Sequence, residues 1–223
     1  TAAPVFLAGG IEGVTLASHW QAALDLLRDQ QVNTVVPLTD DAAIHANTLT
    51  HCVYMAGDGK GERDCILGAA TSETLVQVKA RAVALNTRHA RLVVQDVQRY
   101  NTSNVLETFP PYFTALLAAG MQSGSSVGTS LTSKYVNVLA TVEDATYTVR
   151  DDGDDMIESG LLLIERVPGI GYRWLRNITT HLMDDTLPYI EASMNEATNF
   201  AVLSFRARME LFVGKKGNAS TVN

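Results

Sequence analysis

Apolar positions in the first half of the chain switch between two periods. Val5-Phe-Leu-Ala8 is a short apolar run that ends in Gly9-Gly10, and Leu16, Trp20, Ala23, Leu24 and Leu27 then recur at helical spacing. This predicts a strand, a glycine turn and a helix in succession. Residues 32–38 are continuous and β-branched, which predicts a strand buried on both faces. Asp40 or Asp41 can cap the next helix, which runs towards Met55 and ends at Gly57, Gly59 and Gly61. The same grammar then repeats: a strand over residues 65–69, Ser72 as N-cap with Glu73 in the first turn, a helix to Leu85 and a strand over residues 91–95. Strands alternating with helices at this spacing predict parallel β-α-β units with right-handed crossovers.

The pattern changes further along. Residues 96–107 read as a long loop, followed by Phe109-Pro-Pro, where proline suits a helix start, and a helix over residues 112–121. Residues 124–133 are rich in Gly, Ser and Thr. The segments 136–142, 147–149, 160–167 and 172–179 then read as strands with no helix between them, and 187–194 as one more. Alternation along 172–179 puts Tyr172, Trp174, Arg176 and Ile178 on one face, so Arg176 would need a partner in an apolar setting. Asn195 caps a last amphipathic helix that reaches Phe212-Val-Gly214. The predicted fold class is α/β, mixed with α+β: parallel units over about 1–123, then a β-rich part and a C-terminal helix over about 124–223. No internal repeat or low-complexity linker separates the parts, so one core is expected over residues 1–223.

Composition narrows the function. Seventeen Lys+Arg against 24 Asp+Glu give a net charge of −7, which opposes the attraction to phosphate behind nonspecific nucleic-acid binding. No apolar stretch approaches the ~20 residues of a membrane-spanning helix. Cys52 and Cys65 are the only cysteines, and both lie in apolar surroundings, as buried thiols of a reducing compartment do. The start, Thr1-Ala-Ala-Pro, has no initiator methionine and no signal-like segment, which reads as a piece cut from a longer protein.

Three segments resemble sites and lack the chemistry. Ala8-Gly-Gly-Ile-Glu-Gly13 is nearly the dinucleotide fingerprint, with alanine for its first glycine. Glu12, however, would put a carboxylate where pyrophosphate sits, and Asp40 lies farther along than a ribose-binding acid. Gly9, Gly10 and Gly13 therefore read as a tight structural turn, with a nucleotide- or dinucleotide-binding α/β enzyme as the alternative. Gly57-Asp-Gly-Lys-Gly-Glu62 has Gly61 where a phosphate loop needs Ser or Thr, and reads as an exposed helix-to-strand loop. Asp151-Asp-Gly-Asp-Asp155 fails the calcium-loop spacing and reads as a solvated acidic turn. The five histidines have no zinc-type companions and no G-x-S-x-G elbow exists. No cofactor, metal or catalytic set is implied; a generic protein-binding module is the remaining rival.

Leu7-Ala-Gly-Gly-Ile-Glu-Gly13, Trp20-Gln-Ala-Ala-Leu24, Val32-Asn-Thr-Val-Val-Pro37, Pro110-Pro-Tyr-Phe-Thr-Ala-Leu-Leu-Ala-Ala-Gly120, Ser130-Leu-Thr-Ser-Lys134 and the segment from Trp174 to Gly214 are collinear with the core of contractile tail sheath proteins. The chain resembles that family, which includes myophage tails, R-type pyocins and type VI-like sheaths. The resemblance implies a non-enzymatic structural subunit of the virion, assembled in the host cytoplasm. It also implies its partners: other subunits in a helical stack of hexameric rings, a tail tube and a baseplate, with no nucleic acid and no membrane insertion. Arg206, Arg208, Lys215 and Lys216 would then face the tube or a neighbour, and Trp174 and Arg176 would belong to a core strand. The family's preceding domains and terminal arms are absent from these 223 residues, so the chain is expected to be a subunit core.

Overall fold

The computed structural model describes residues 15–142, 147–182 and 187–213. The glycine turn at residues 9–13 and the strand before it lie outside them. Helix α1 (Ala17–Leu26) runs into a 3-10 turn, Leu27–Asp29, and β1 (Thr34–Val35) follows. Helix α2 (Ala42–Ala56) starts at Asp41, whose carboxylate accepts the N–H groups of Ala43 at 2.7 Å and Ile44 at 3.4 Å. Strand β2 (Asp64–Gly68), helix α3 (Leu75–Leu85) and strand β3 (Ala90–Val93) complete the repeating part. The cap of α3 is Thr74 rather than Ser72. Gln77 reaches back to the Thr74 N–H at 2.8 Å, while Glu73 accepts the Ala70 N–H at 2.8 Å before the helix begins.

Residues 96–107 are not a loop. They make most of an antiparallel hairpin, β4 (Asp96–Tyr100) with β5 (Leu106–Phe109), in which Val97 faces Phe109 and Tyr100 faces Leu106. The turn is wrapped by Asn101, whose Oδ1 accepts the N–H groups of Ser103 and Val105 at 2.9 Å, and by Asn104 at φ +59°. The hairpin stands partly in solvent, so it lacks the apolar run that marks a buried strand. Helix α4 (Pro111–Ser123) begins on its proline.

Beyond α4 come β6 (Tyr135–Val136), β7 (Ala140–Val142), α5 (Val149–Glu158), β8 (Leu161–Leu162), β9 (Ile164–Val167), β10 (Gly171–Trp174), α6 (Leu187–Ile190) and α7 (Ala192–Met209), closed by a 3-10 turn, Glu210–Phe212. Two strand expectations fail here. Residues 147–149 lead into α5, and the acidic stretch 151–155 is its first turns: Thr148 Oγ1 accepts the Asp151 N–H at 3.2 Å and Asp152 accepts the Thr148 N–H at 2.9 Å. Carboxylates at a helix N-terminus are favourable, which a solvated-turn reading overlooks. Residues 187–194 are helical rather than a strand and keep one isolated bridge, Ile178 to Glu191. Glu191, not Asn195, is the N-cap position of α7.

The four-stranded sheet, in order β1-β2-β3-β8, is parallel throughout, and two three-stranded antiparallel sheets, β6-β10-β9 and β5-β4-β7, flank it. Strand β1 is a half-buried two-residue edge rather than the doubly buried strand expected over 32–38. Strand β8 comes from the second half of the chain yet pairs with β3, Leu92 facing Leu161, so both halves share one sheet. Cys65, Leu67 and Leu92 pack on Cys52, Val78, Ala82 and Met156 of the helices on one face. Ile66, Val93 and Leu162 pack on Ala115, Ala118 and Ala119 of α4 on the other, with Leu131 and Trp174. Gly68 permits this contact, because a Cβ there would lie 2.2 Å from the Tyr112 nitrogen. Both cysteines are buried free thiols.

Candidate functional site

Helix α7 carries its polar residues inward. Ser193, Asn195 and Asn199 are buried, while Met194, Phe200, Phe205, Met209 and Phe212 are exposed, Phe205 by 64%. The seam centres on Asp64 at the start of β2. Its carboxylate accepts Asn195 Nδ2 at 2.8 Å and Asn199 Nδ2 at 3.2 Å, and His89 Nδ1 lies 3.2 Å away. Asn195 Nδ2 also donates to the Arg88 carbonyl at 3.0 Å. Glu196 accepts Gln122 Nε2 and the Gly128 N–H, tying α7 to the end of α4 and the loop after it.

Beneath α7 lies a cavity of about 330 Å³ lined by Asp64, Arg91, Gln122, Glu196 and Asn199. Arg91 is buried in the middle of β3, and its Nη1 donates to Gln122 Oε1 at 3.3 Å and Asn177 Oδ1 at 3.2 Å. Burial lowers its pKa against the pull of Asp64 and Glu196. Burial likewise raises the Glu196 carboxyl, opposed by the Gly128 N–H and the Arg91 cation. The arrangement holds a helix in place by hydrogen bonds while its aromatic side chains stay outside, a surface suited to contact with another chain.

The sequence-derived candidates fall in different places. Arg206 forms an ion pair with Glu62, which is buried, so it anchors α7 to the loop before β2 as well as reaching the surface. Arg208 is exposed in the last turn. Lys215, Lys216, Gly9, Gly10 and Gly13 lie outside the described residues. Trp174 is fully buried, with Nε1 3.3 Å from Met121 Sδ. Arg176 does not share its setting: pairing stops at Trp174, the alternation is broken, and Arg176 is exposed with no apolar face to disturb. The buried cations are Arg91 and Arg63 instead. Arg63 donates to the carbonyls of Leu27, Gln30 and Gly61 at 2.8, 3.0 and 3.0 Å. In the loop at 57–62, Gly59 and Gly61 pack on Met55, where a Cβ would come within 2.5 and 2.8 Å of its side chain. Among the described residues no group of three or more His, Cys, Asp or Glu is placed to hold a metal.

Asp64, Arg91 and Asn199 were not picked out from the sequence, and Asn195 was read only as a helix cap. Their signals were present: an arginine inside the apolar run Arg91-Leu-Val-Val94, and two asparagines at i and i+4 on the last helix.

No protein-family model matches the chain. The tail sheath protein of Bacillus phage SP01 is 31% identical over 219 residues, covering 98% of this chain and 38% of that protein. A putative tail sheath protein of Enterococcus phage phiEF24C is 30% identical over 214 residues, covering 94% and 37%. The chain thus spans less than half the length of these relatives. Among solved structures, the sheath tail protein of Desulfitobacterium hafniense superposes with a TM-score of 0.75 at 14% identity, over 94% of this chain and 46% of that one. The helical sheath of the anti-feeding prophage, in its contracted state, gives 0.65 at 11% identity, over 95% and 56%. Sequence similarity along nearly all of the chain, joined to a fold shared with solved sheath proteins, makes it a member of the contractile tail sheath family.

Proposed function

We propose that the chain is the structural core of a tail sheath subunit, which polymerises around a tail tube and contracts to drive it through a target envelope. The observation that carries this reading is the similarity to phage sheath proteins along 98% of the chain. The architecture suits it: one sheet shared by both halves and covered on both faces makes a body that can move as a unit while links between subunits bend. The subunits stack as hexameric rings on a baseplate within the virion, after assembly in the host cytoplasm. Their work is mechanical rather than catalytic, with no cofactor. Residues 1–223 act as one core domain, with Gly9, Gly10 and Gly13 as a structural turn.

Arg208, with Lys215 and Lys216 beyond α7, faces the tube or a neighbouring subunit, and Arg206 divides its charge between that surface and Glu62. Exchange of terminal strands between neighbouring sheets links the cores through main-chain hydrogen bonds, which tolerate hinging. Electron microscopy of the full-length protein tests the reading: tubular polymers are expected. A soluble protein that forms none and binds NAD(P) or ATP saturably, with binding abolished by Gly10→Val, would overturn it in favour of the enzyme.

A further inference from the structure

Glu62 and Asp64 stand two residues apart at the entry to β2, and both line the cavity of about 330 Å³ beneath α7, together with Arg91 and Glu196. Glu62 is only 4% exposed, yet its Oε2 has no hydrogen-bond partner among the described residues. Arg206 lies against the other oxygen as an ion pair, but its Nη1 makes no hydrogen bond there, so the contact leaves the carboxylate unsatisfied. A buried acceptor without a donor is costly, and a buried charge more so, which calls for a partner that the chain itself does not supply. Asp64 and Glu196 differ. Asp64 accepts from Asn195 and Asn199, and Glu196 from Gln122 and the Gly128 N–H.

The walls of the cavity set the chemistry of that partner. Three carboxylates, Glu62, Asp64 and Glu196, meet two guanidiniums, those of Arg91 and Arg206, so the balance favours a cation. Among the described residues no group of three or more His, Cys, Asp or Glu is placed to hold a metal, so a compact inorganic ion does not fit. Phe200 and Leu203 of α7 add an apolar side, which suits methylenes and gives nothing to a hydrated ion. We propose that the cavity binds a small aliphatic amine, its ammonium donating to Glu62 Oε2 and its methylenes lying along Leu203 and Phe200. The volume falls at the lower end of the about 300–1,000 Å³ of small-ligand clefts. Binding requires only a single subunit and is independent of the sheath reading above.

Isothermal titration of putrescine into the full-length protein tests this. Saturable binding is expected, and Glu62→Gln weakens it by about tenfold or more, because the neutral amide forfeits the charge-assisted hydrogen bond. Ser204→Phe puts a ring among the lining residues while keeping every charge, and it also weakens binding. 4-Aminobutyrate, with the same chain length and a carboxylate at its far end, binds more weakly than putrescine. No saturable binding of putrescine at about 10 mM would overturn the assignment. Equal affinity in wild type and Ser204→Phe would place the binding elsewhere and overturn it too; this comparison decides the matter should Glu62→Gln fail to fold. Tighter binding of 4-aminobutyrate would show that Arg91 rather than Glu62 selects the ligand, and the amine assignment would then be wrong.

Discussion

Burial pushes the His45 imidazole from its ordinary 6.5 down to about 4, aided by the Arg81 cation and opposed by the Thr39 carbonyl 2.7 Å from Nε2. The neutral ring donates from Nε2 and accepts from Arg81 at Nδ1, and Arg81 is held at 2.7 Å by Glu73, so one histidine joins α2 to α3. In the unfolded chain the same ring takes up a proton near pH 6.5. The unfolded state therefore binds more protons between pH 6.5 and 4, and stability falls as pH drops through that window, by up to about 3 kcal/mol. Urea unfolding at pH 7 and pH 4 should show this loss, and His45→Gln should remove that part of it. Gln95 is a second fully buried joint: its amide donates to the Ile164 carbonyl at 2.7 Å and accepts the Ile164 N–H at 2.6 Å, copying a strand pairing. Gln95→Ala leaves both backbone groups unpaired and should cost about 2–4 kcal/mol in chemical denaturation. Trp174→Ala, which empties a fully buried site under α4, should cost about 3–5 kcal/mol.

Helix α7 depends on directed contacts more than on buried apolar area. Replacing both Asn195 and Asn199 by alanine strips Asp64 of its helix donors and should cost about 1–3 kcal/mol. Amide hydrogen exchange should then speed up along α7 while α3 keeps its protection, because the two helices meet different parts of the sheet. Uniform acceleration through both helices would mean that α7 is integral to the global core. The helix was legible in its position and only partly in its face. Met194, Phe205 and Phe212 share a face by spacing, and the usual expectation buries that face, yet here it is exposed. Similarly, the cap at Asp41 and the helix start at Pro111 could be read directly, whereas Thr148 could not be recognised as a cap while 147–149 read as a strand.

Assembly brings in the charges beyond α7. Reversing Lys215 and Lys216 in the full-length protein should weaken tube-templated assembly, with an effect that fades at high salt as exposed charges are screened. Counting tubes by electron microscopy at low and high ionic strength measures this, and unchanged assembly at low salt would take both lysines out of the interface. Much of this architecture follows from local rules. A helix or parallel strand with a strong period and a cap close by in sequence is specified by its neighbours, as α2, β2, α3 and β3 were. Where the period is short or mixed, long-range partners decided the outcome. The hairpin at 96–109 needed its turn chemistry, and β8 became a central-sheet strand only through pairing with β3, 69 residues earlier between Leu92 and Leu161. Arg91 could be buried only because Gln122 and Asn177, 31 and 86 residues away, arrive at its guanidinium. Periodicity is written over a few consecutive residues and survives in any one chain segment; the solvation of a buried charge, and which face of a helix meets water, depend on groups that only folding brings together.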